Sequence, residues 1–485
     1  MNLLQLSDDP EILVQRVSDL IAAGRAGAAR PLLIAVRRLS PPTAKLAQLA
    51  AEIAVREGAL ELAGQELDDA IGAEPLHAGL RKCRADLRWR QGRLEDAARD
   101  AAEAVILDRQ DPAAKALLGT LMLEIGRPED AAGCLKEAVR DVPADPAYRE
   151  ALARSQEACQ DAEGALATLL AGTAITPHAV SLRNAAILLC VKRRDFRGAA
   201  ALAEDARVTG VADACTFGLR GHALSSLGLH DEAADMYREA LKLGPDDPYV
   251  RHLAAATGAV AGAARAPAAY LRTVFDGYAE RFESHLISLG YRIPGVIRAM
   301  LLTHPAIVAG GSTGPVLDLG CGTGLVGLAI GDLPLGPLTG VDVSPRMLAW
   351  AAIKGCYASL READLMTVLQ EETARWPVIL AADVLCYFGV LEDVLKAAHA
   401  RLAPGGWFVF SAELLLPDHD GVIPGNGSWC LQRQGRYAHT AAYLSQAALG
   451  AGFQIHTSRP EVIRFEADVP VAGQLLVLER RHDDG

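Results

Sequence analysis

The stretch Val316-Leu317-Asp318-Leu319-Gly320-Cys321-Gly322-Thr323-Gly324 decides the fold of the second half of this 485-residue chain. A short apolar run leads into three alternating glycines, and a further apolar run follows from Leu325 to about Ile330. This order predicts a strand, a tight loop and the start of a helix. Glycines let a backbone approach a ligand closely, and a helix N-terminus offers unpaired N–H groups. We therefore expect a ligand site whose loop residues are Asp318, Gly320, Cys321, Gly322 and Gly324.

Two classes of cofactor use such a loop. The segment from Gly322 to Gly327 satisfies the dinucleotide pattern GxGxxG, which is a weak signal when it stands alone. The register that begins at Asp318 fits better, because a carboxylate at the strand end suits a cationic amino group and repels a pyrophosphate. A NAD(P)-dependent oxidoreductase remains the less favoured alternative.

Acidic residues also follow the next apolar runs of this half. Asp342 ends the run that begins at Leu338, Asp364 follows a third run, and Asp383 ends the run that begins at Pro377. A wholly apolar run is typical of a parallel strand buried on both faces. In open α/β sheets, ligands bind at the carboxyl ends of the strands, so these acids, Asp383 included, are expected to share one edge and to bind the cofactor there.

These motifs, in this order, resemble the class I S-adenosylmethionine-dependent methyltransferases. The resemblance implies a Rossmann-like α/β domain that binds S-adenosyl-L-methionine, with Asp342 accepting hydrogen bonds from both ribose hydroxyls. Val343 and Met347 would flank the adenine, and Asp364, followed by Leu365, would face its amino group. The two probable strands around Phe453 to Phe465 and Gln474 to Arg480 would form a C-terminal antiparallel hairpin.

Residues near the expected catalytic edge are candidates for the reaction itself. Methyl transfer from a sulfonium is a direct displacement, so a base is needed only if the acceptor must lose a proton. The candidates are Tyr387, Glu413 and His439, and the ordinary pKa of histidine suits base catalysis near neutrality. Upstream, Tyr278 and Phe282 are candidates for a lid over the cofactor, although core packing also explains such large residues at helical spacing.

The first half carries a different signal, which is alanine at a constant spacing of 34 residues. The positions are Ala29, Ala63, Ala97, Ala131, Ala165, Ala199 and Ala233. Glycine commonly stands five residues before this alanine, and proline twelve residues after it. The period and these positions resemble the tetratricopeptide (TPR) repeat of helix, turn and helix, which predicts an all-α solenoid.

The expected organisation is therefore multidomain. An array of about seven TPR units and a closing helix would occupy residues 1–262, and a methyltransferase domain residues 266–485. The phrase from Phe275 to Phe282, together with Gly290-Tyr291-Arg292, resembles bacterial TPR-repeat-containing methyltransferases. That resemblance implies a methyl transfer whose acceptor is unidentified, with the repeats binding a protein substrate or partner. The alternative is a cofactor-binding scaffold with little or no catalysis.

Charge and composition bear on partners and compartment. The formal net charge of −12 argues against nucleic acid as a partner. Nine cysteines without paired spacing predict neither a metal site nor a disulfide framework, and they fit a reducing cytoplasm. The N-terminus lacks the pattern of a signal peptide, and no apolar run is long enough to span a bilayer. We expect a cytoplasmic protein.

Overall fold

The computed structural model describes residues 9–371, 373–417, 421–425, 427–466 and 468–481. Its backbone contacts divide the chain into two compact units, Met1–Leu219 and Arg220–Gly485. The helix that carries this division is α13, Ala214–Ser226.

The first unit consists of helices in antiparallel pairs. They are α1 Pro10–Ala22, α2 Ala26–Leu39, α3 Ala44–Arg56, α4 Leu60–Ala73, α5 Ala78–Arg90, α6 Leu94–Leu107, α7 Pro112–Glu124, α8 Pro128–Asp141, α9 Pro146–Ala158, α10 Ala162–Ile175, α11 Val180–Lys192 and α12 Phe196–Val208. The seven alanines of the 34-residue ladder are all 0% exposed. The residue at these buried positions is alanine because a larger side chain would hold the packed helices apart. The predicted helical repeat array is confirmed.

The turns within the repeats explain the glycines and also the two exceptions. Gly24, Gly58, Gly92 and Gly126 have φ between 73° and 78°, in the left-handed region. Gln160 and Arg194, which replace glycine in two units, keep the same turn at φ 64° and 61°. The stacked helices therefore impose the turn even where the residue is not glycine, at a cost of about 1–2 kcal/mol.

A second repeated contact was not expected from the sequence. Arg149 donates from Nε to the carbonyl of Pro143 over 2.8 Å, and Arg183 donates to the carbonyl of Pro177 over 3.3 Å. Arg81 makes the same contact with Pro75. These arginines lie six residues after the proline that ends the preceding helix pair. Each one donates to the carbonyl of a loop proline that lies two residues beyond the end of a helix.

The second unit combines the last helices of the repeat pattern with an α/β domain. Its helices after α13 are α14 His230–Leu243, α15 Pro248–Ala256, α16 Ala268–Tyr278, α17 Phe282–Ser288, α18 Ile293–Leu301, α19 Pro305–Val308, α20 Leu325–Ile330, α21 Pro345–Lys354, α22 Leu365–Glu371, α23 Glu392–Arg401 and α24 Ala441–Gly450. Its strands are β1 Val316–Leu319, β2 Leu338–Asp342, β3 Ser359–Glu362, β4 Trp376–Ala381, β5 Leu402–Glu413, β6 Trp429–Leu431, β7 Tyr437–His439, β8 Phe453–Glu466 and β9 Val469–Arg480.

Seven of these strands form one sheet in the order β3-β2-β1-β4-β5-β9-β8. The first five are parallel, β9 pairs antiparallel with β5, and β8 pairs antiparallel with β9. Strands β6 and β7 form a separate small hairpin. The doubly wound sheet and its C-terminal antiparallel hairpin confirm the predicted fold class. The topology brings the carboxyl ends of β1, β2 and β4 to one edge.

The start of β5 is irregular. The strand begins at Leu402 and already includes the sequence Pro404-Gly405-Gly406. The pairing of β4 with β5 shifts between Trp376 and Val378, and Gly405 has φ 74°. The glycines therefore belong to an irregular start of the strand, where extra residues are accommodated as in a bulge.

Helices α14 and α15 carry the end of the repeat pattern but lie in the second unit. The centroid of the His252 ring lies 4.2 Å from the centroid of the Tyr270 ring. The centroid of the Tyr249 ring lies 5.5 Å from that of Tyr270. Nε2 of His252 hydrogen-bonds the carbonyl of Gly435 over 2.8 Å. The boundary at residues 262–266 stays a prediction. No helix among the described residues has both the length and the apolar character needed to cross a membrane.

Candidate active site

The loop between β1 and α20 forms a cradle of backbone. Gly320, Gly322 and Gly324 have φ of 65°, 55° and 89°, which other residues rarely adopt. A Cβ on Gly320 would overlap the side chain of Val384, and one on Gly324 would lie 3.0 Å from the ring of Tyr357. The three glycines are therefore required by backbone conformation and, at these two positions, also by space.

Asp318 lies at the start of this loop and is 0% exposed. Its Oδ2 accepts a hydrogen bond from the hydroxyl of Tyr357 over 2.7 Å. Its Oδ1 is buried and has no partner among the described residues. Burial raises the pKa of Asp318 to about 7, although the Tyr357 hydrogen bond acts in the opposite direction. A buried acceptor without a donor is costly, so this oxygen fits a ligand that brings an N–H group.

Asp342 ends β2 and holds the loop from the neighbouring strand. Its Oδ2 accepts from the backbone N–H of Gly322 and its Oδ1 from that of Ser344, each over 2.9 Å. Burial raises the pKa of Asp342, while these backbone hydrogen bonds lower it. The hydroxyl of Ser344 in turn donates to Asp276 over 2.6 Å. Each oxygen of Asp342 keeps a lone pair, so the carboxylate can still bind a diol.

The other residues that are predicted to bind the cofactor differ in their surroundings. Val343 is half-buried beside Asp342, whereas Met347 is fully buried and Leu365 packs into the core of the sheet. Cys321 is buried, and a Cβ on Gly340 would lie 2.9 Å from its Sγ, so its side chain points toward β2. Asp364 accepts from the N–H of Met366 over 2.8 Å and forms an ion pair of 3.1 Å with Arg265.

Four aromatic rings cover this edge of the sheet and are called the aromatic cluster below. Phe282 lies edge-on to Phe275 and to Tyr278, at 6.2 Å and 5.6 Å between centroids. Phe275 lies edge-on to Tyr387 at 5.7 Å. A Cβ on Gly322 would lie 3.7 Å from the ring of Phe282. The cluster therefore joins the glycine loop to Tyr387, and Phe282 rather than Tyr278 makes the approach to the loop.

A network of charged side chains lies at the carboxyl ends of β4 and β5 and is called the charge network below. Arg464 forms three ion pairs: its Nη1 lies 2.8 Å from Asp383, its Nη2 2.5 Å from Glu413 and its Nε 2.9 Å from Glu466. Arg436 contacts Glu413 and Glu466, each at 2.6 Å. Glu413 is only 2% exposed. Because two guanidinium groups already bind it, Glu413 is a poor candidate for a base.

Asp383 differs from the other members of the charge network. It has φ 56°, and its backbone N–H donates to the hydroxyl of Ser411 over 2.8 Å. Its Oδ1 is buried without a partner in the described part of the chain. Burial raises the pKa of Asp383, against the opposing charge of Arg464. A non-glycine residue in this strained conformation costs about 1–3 kcal/mol, and such residues cluster at functional sites.

Possible metal ligands also meet here. Ligand atoms of Asp383, Cys386 and Glu413 lie within 4.8 Å of one another. The guanidinium of Arg464 contacts both carboxylates and supplies the positive charge that a cation would otherwise bring. The thiol of Cys386 donates to the carbonyl of Asp383 over 3.3 Å, and burial raises its pKa. These residues do not fit a metal site, since metal ligation requires a thiolate.

His439 requires a correction to the sequence-based expectation. It is 0% exposed, in β7, and its Nε2 hydrogen-bonds the carbonyl of Gly389 over 3.2 Å. Its ring stacks on Tyr443 at 5.8 Å between centroids. Burial lowers the pKa of His439 to about 4. The expected pKa near neutrality was therefore wrong, because burial disfavours the charged ring.

Sequence reasoning missed several residues of this site. Tyr357 contacts Asp318 from 39 positions away in the sequence. Asp276 contacts Ser344 across 68 positions, and Arg464 contacts Asp383 across 81 positions. No local motif marks such residues, because the sheet alone brings them together. A signal for Arg464 was its position as an arginine within an apolar, β-branched strand sequence.

The sheet order, the glycine loop and the acids at the strand ends define the class as a methyltransferase fold. Residues 295–458 match the family model described as a methyltransferase domain, and residues 88–155 match that of a tetratricopeptide repeat. The chain therefore combines a region of TPR repeats with a methyltransferase domain, as its sequence indicated.

Individual proteins are similar to parts of this chain. Ribosomal protein L11 methyltransferase of Xanthomonas campestris pv. campestris (strain 8004) is 32% identical over 109 residues, which are 22% of this chain and 34% of that protein. Ubiquinone biosynthesis O-methyltransferase of Bordetella avium (strain 197N) is 26% identical over 100 residues, 20% of this chain and 41% of that protein. The chain spans less than half the length of these curated relatives. A solved S-adenosylmethionine dependent methyltransferase from Mesorhizobium loti is 22% identical, with 34% of this chain and 90% of that chain covered and a TM-score of 0.29.

Proposed function

We propose that this protein transfers a methyl group from S-adenosyl-L-methionine to an acceptor. The observation that carries the proposal is the buried Oδ1 of Asp318, which lacks a partner among the described residues beside three glycines in the left-handed conformation. The amino group of this donor is a cation with N–H groups, which is what the oxygen needs. A pyrophosphate would bring negative charge next to Asp318 and Asp342, so the dinucleotide alternative is disfavoured.

The residues of the site fit the remaining parts of the donor. Asp342 would accept the ribose hydroxyls with its free lone pairs, and the half-buried Val343 would contact the adenine. Asp364 would accept from the adenine amino group, although Arg265 shares its carboxylate. When bound, the donor supplies a methyl group on a positively charged sulfur. The protein orients the acceptor toward that methyl group, and the aromatic cluster excludes water.

Phe282 and Tyr387 would act as parts of the lid, while His439 and Glu413 serve structural roles. His439 is neutral and buried, and Glu413 is bound by Arg436 and Arg464. Asp383 is then the carboxylate of the charge network that is left to face the acceptor.

The TPR repeats would recruit a protein, either as the methyl acceptor or as a partner. Arrays of this kind expose an extended concave surface that commonly binds a peptide or helix. The names of the two relatives point to a ribosomal protein and to ubiquinone biosynthesis, so they do not agree on a class of acceptor.

The proposal is tested by transfer of tritiated methyl groups from S-adenosyl-L-methionine to an extract of the source cells. Wild-type protein should label an acceptor, whereas Asp342→Ala should not. Asp332→Ala removes an exposed carboxylate of the same domain and should transfer like wild type. Equal labelling by wild type and Asp342→Ala would contradict the proposed donor site. Sorting the label into protein and small molecules then identifies the acceptor fraction.

A further inference from the structure

The charge network includes a buried carboxylate oxygen that has no partner among the described residues. It contains Asp383, Glu413 and Glu466 against two guanidinium groups, so its formal charge is −1. Glu413 and Glu466 each contact both arginines, and Oδ2 of Asp383 contacts Arg464. Oδ1 of Asp383 is the oxygen of this network that is buried without a partner among the described residues. This oxygen requires a donor that the described part of the chain does not supply.

Asp383 lies close to the glycine loop. Strand β4, which precedes it, pairs directly with β1, and Leu380 is in register with Asp318. The next residue, Val384, touches the loop so closely that a Cβ on Gly320 would overlap it. The position of Asp383 is held from three sides, by Ser411 at its backbone, by Arg464 at its side chain and by the turn that follows.

The surroundings of Asp383 favour a cation over an anion. An anionic acceptor would add negative charge to a cluster that is already negative, at low dielectric. Tyr387 follows Asp383 by one turn and joins the aromatic cluster through Phe275. Aromatic rings attract ammonium groups with about 0.5–2 kcal/mol, depending on desolvation.

On the basis of the proposed function, we propose that the methyl acceptor is an aliphatic amine, which binds to Asp383 as an ammonium ion. The ammonium group donates to Oδ1 of Asp383 and transfers one proton to it. The neutral nitrogen then uses its lone pair to form the N–C bond, while the C–S bond of the donor breaks and sulfur keeps the electron pair. Arg464 acts as a positioning residue, because it holds Oδ2 and so directs Oδ1 toward the acceptor.

The balance of charge supports a carboxylate in this role. The methylated product is again a cation, and the proton that leaves the acceptor stays on Asp383 until solvent removes it. Burial raises the pKa of Asp383, and Glu413 acts in the same direction, whereas Arg464 and Arg436 oppose it. A carboxyl group with a raised pKa is a stronger base than an exposed one.

The first test measures binding without turnover. The intact protein, saturated with S-adenosylhomocysteine, is titrated with n-butylammonium chloride or sodium butyrate, and ligand binding is followed by saturation-transfer NMR. Butylammonium should bind to wild type and at least tenfold more weakly to Asp383→Asn. Asp393→Asn, the same change at an exposed residue, should bind it like wild type. Preference for butyrate, or equal butylammonium binding by Asp383→Asn, would overturn the proposal.

The second test determines the chemistry of the labelled product from the tritiated-methyl assay. Base-stable methylamines, lost with Asp383→Asn while calorimetry shows unchanged donor binding, support an amine acceptor. If the labelled product is a methyl ester, which is labile in base, or a methyl ether, the amine assignment is overturned but the proposed methyl transfer stands. Failure of the wild-type protein to bind S-adenosyl-L-methionine overturns the proposed function itself, so the two failures are distinct.

Discussion

The hydroxyl of Tyr357 donates to Oδ2 of Asp318 over 2.7 Å, which leaves Oδ1 of this buried carboxylate for a ligand. Tyr357 precedes β3, and its ring also lies against Gly324 of the loop. One aromatic side chain thus sets the orientation of the carboxylate and closes the space behind the glycines. The proposed donor site is therefore organised by a residue outside the loop.

Binding of S-adenosyl-L-methionine should weaken at low pH because of Asp318. Its pKa is raised to about 7, so below that pH most of the carboxyl is protonated and must lose a proton before it binds a cationic amino group. The Kd should therefore rise about tenfold between pH 8 and pH 6. Calorimetry in buffers of different ionisation enthalpy should also detect proton release. Asp318→Asn should bind weakly with little pH dependence, and a wild-type Kd that is constant over this range would contradict the assignment.

His439 should make the second unit sensitive to mild acid. Its folded-state pKa of about 4 lies below the unfolded value of 6.5, so the unfolded state binds more protons and stability falls as the pH drops through this window. From pH 7.5 to pH 5, wild type should lose about 2 kcal/mol more than His439→Gln, which retains a donor for Gly389.

The measurement is urea unfolding followed by tryptophan fluorescence. Four of the five tryptophans, Trp350, Trp376, Trp407 and Trp429, belong to the second unit, so the signal reports mainly on that unit. Identical pH dependence of the two proteins would show that His439 is not buried as a neutral ring.

Helices α14 and α15 should stabilise the methyltransferase domain. A fragment of residues 266–485 lacks Tyr249 and His252, which pack against Tyr270, and loses the hydrogen bond to Gly435. A fragment of residues 228–485 keeps these contacts. The longer fragment should be more stable by roughly 3 kcal/mol, since Tyr270 is 5% exposed and would lose much of its cover. Equal unfolding midpoints in urea would instead support a folding boundary at residues 262–266.

Local patterns in the sequence predicted much of the architecture. The alanine ladder indicated the repeats, because close helix packing demands a small residue at a fixed period. The glycine loop and the acids after the apolar runs predicted the strands and their common edge, because a strand, a tight turn and a helix start are local features. The left-handed turns at Gln160 and Arg194 show the limit of such reasoning, since stacking imposes them against local preference.

The charge network shows what sequence reasoning could not reach. Arg464 meets Asp383 only because β9 lies between β8 and β5 in the sheet, a pairing that no short segment encodes. The misplaced expectation for His439 has a similar cause. The sequence suggested a base with the ordinary pKa of histidine, but β7 carries His439 into the interior, where burial lowers its pKa.

Calorimetric titration of the intact chain with S-adenosyl-L-methionine tests most directly whether the loop from Asp318 to Gly324 binds the methyl donor. Gly322→Val places a branched side chain at φ 55°, where the backbone must approach the ligand, whereas Gly310→Val imposes a similar strain at φ 78° in open space before β1. We predict that wild type and Gly310→Val bind the donor, that Gly322→Val binds at least about 100-fold more weakly, and that all three show the same helicity by circular dichroism. Undiminished binding by Gly322→Val would contradict the account.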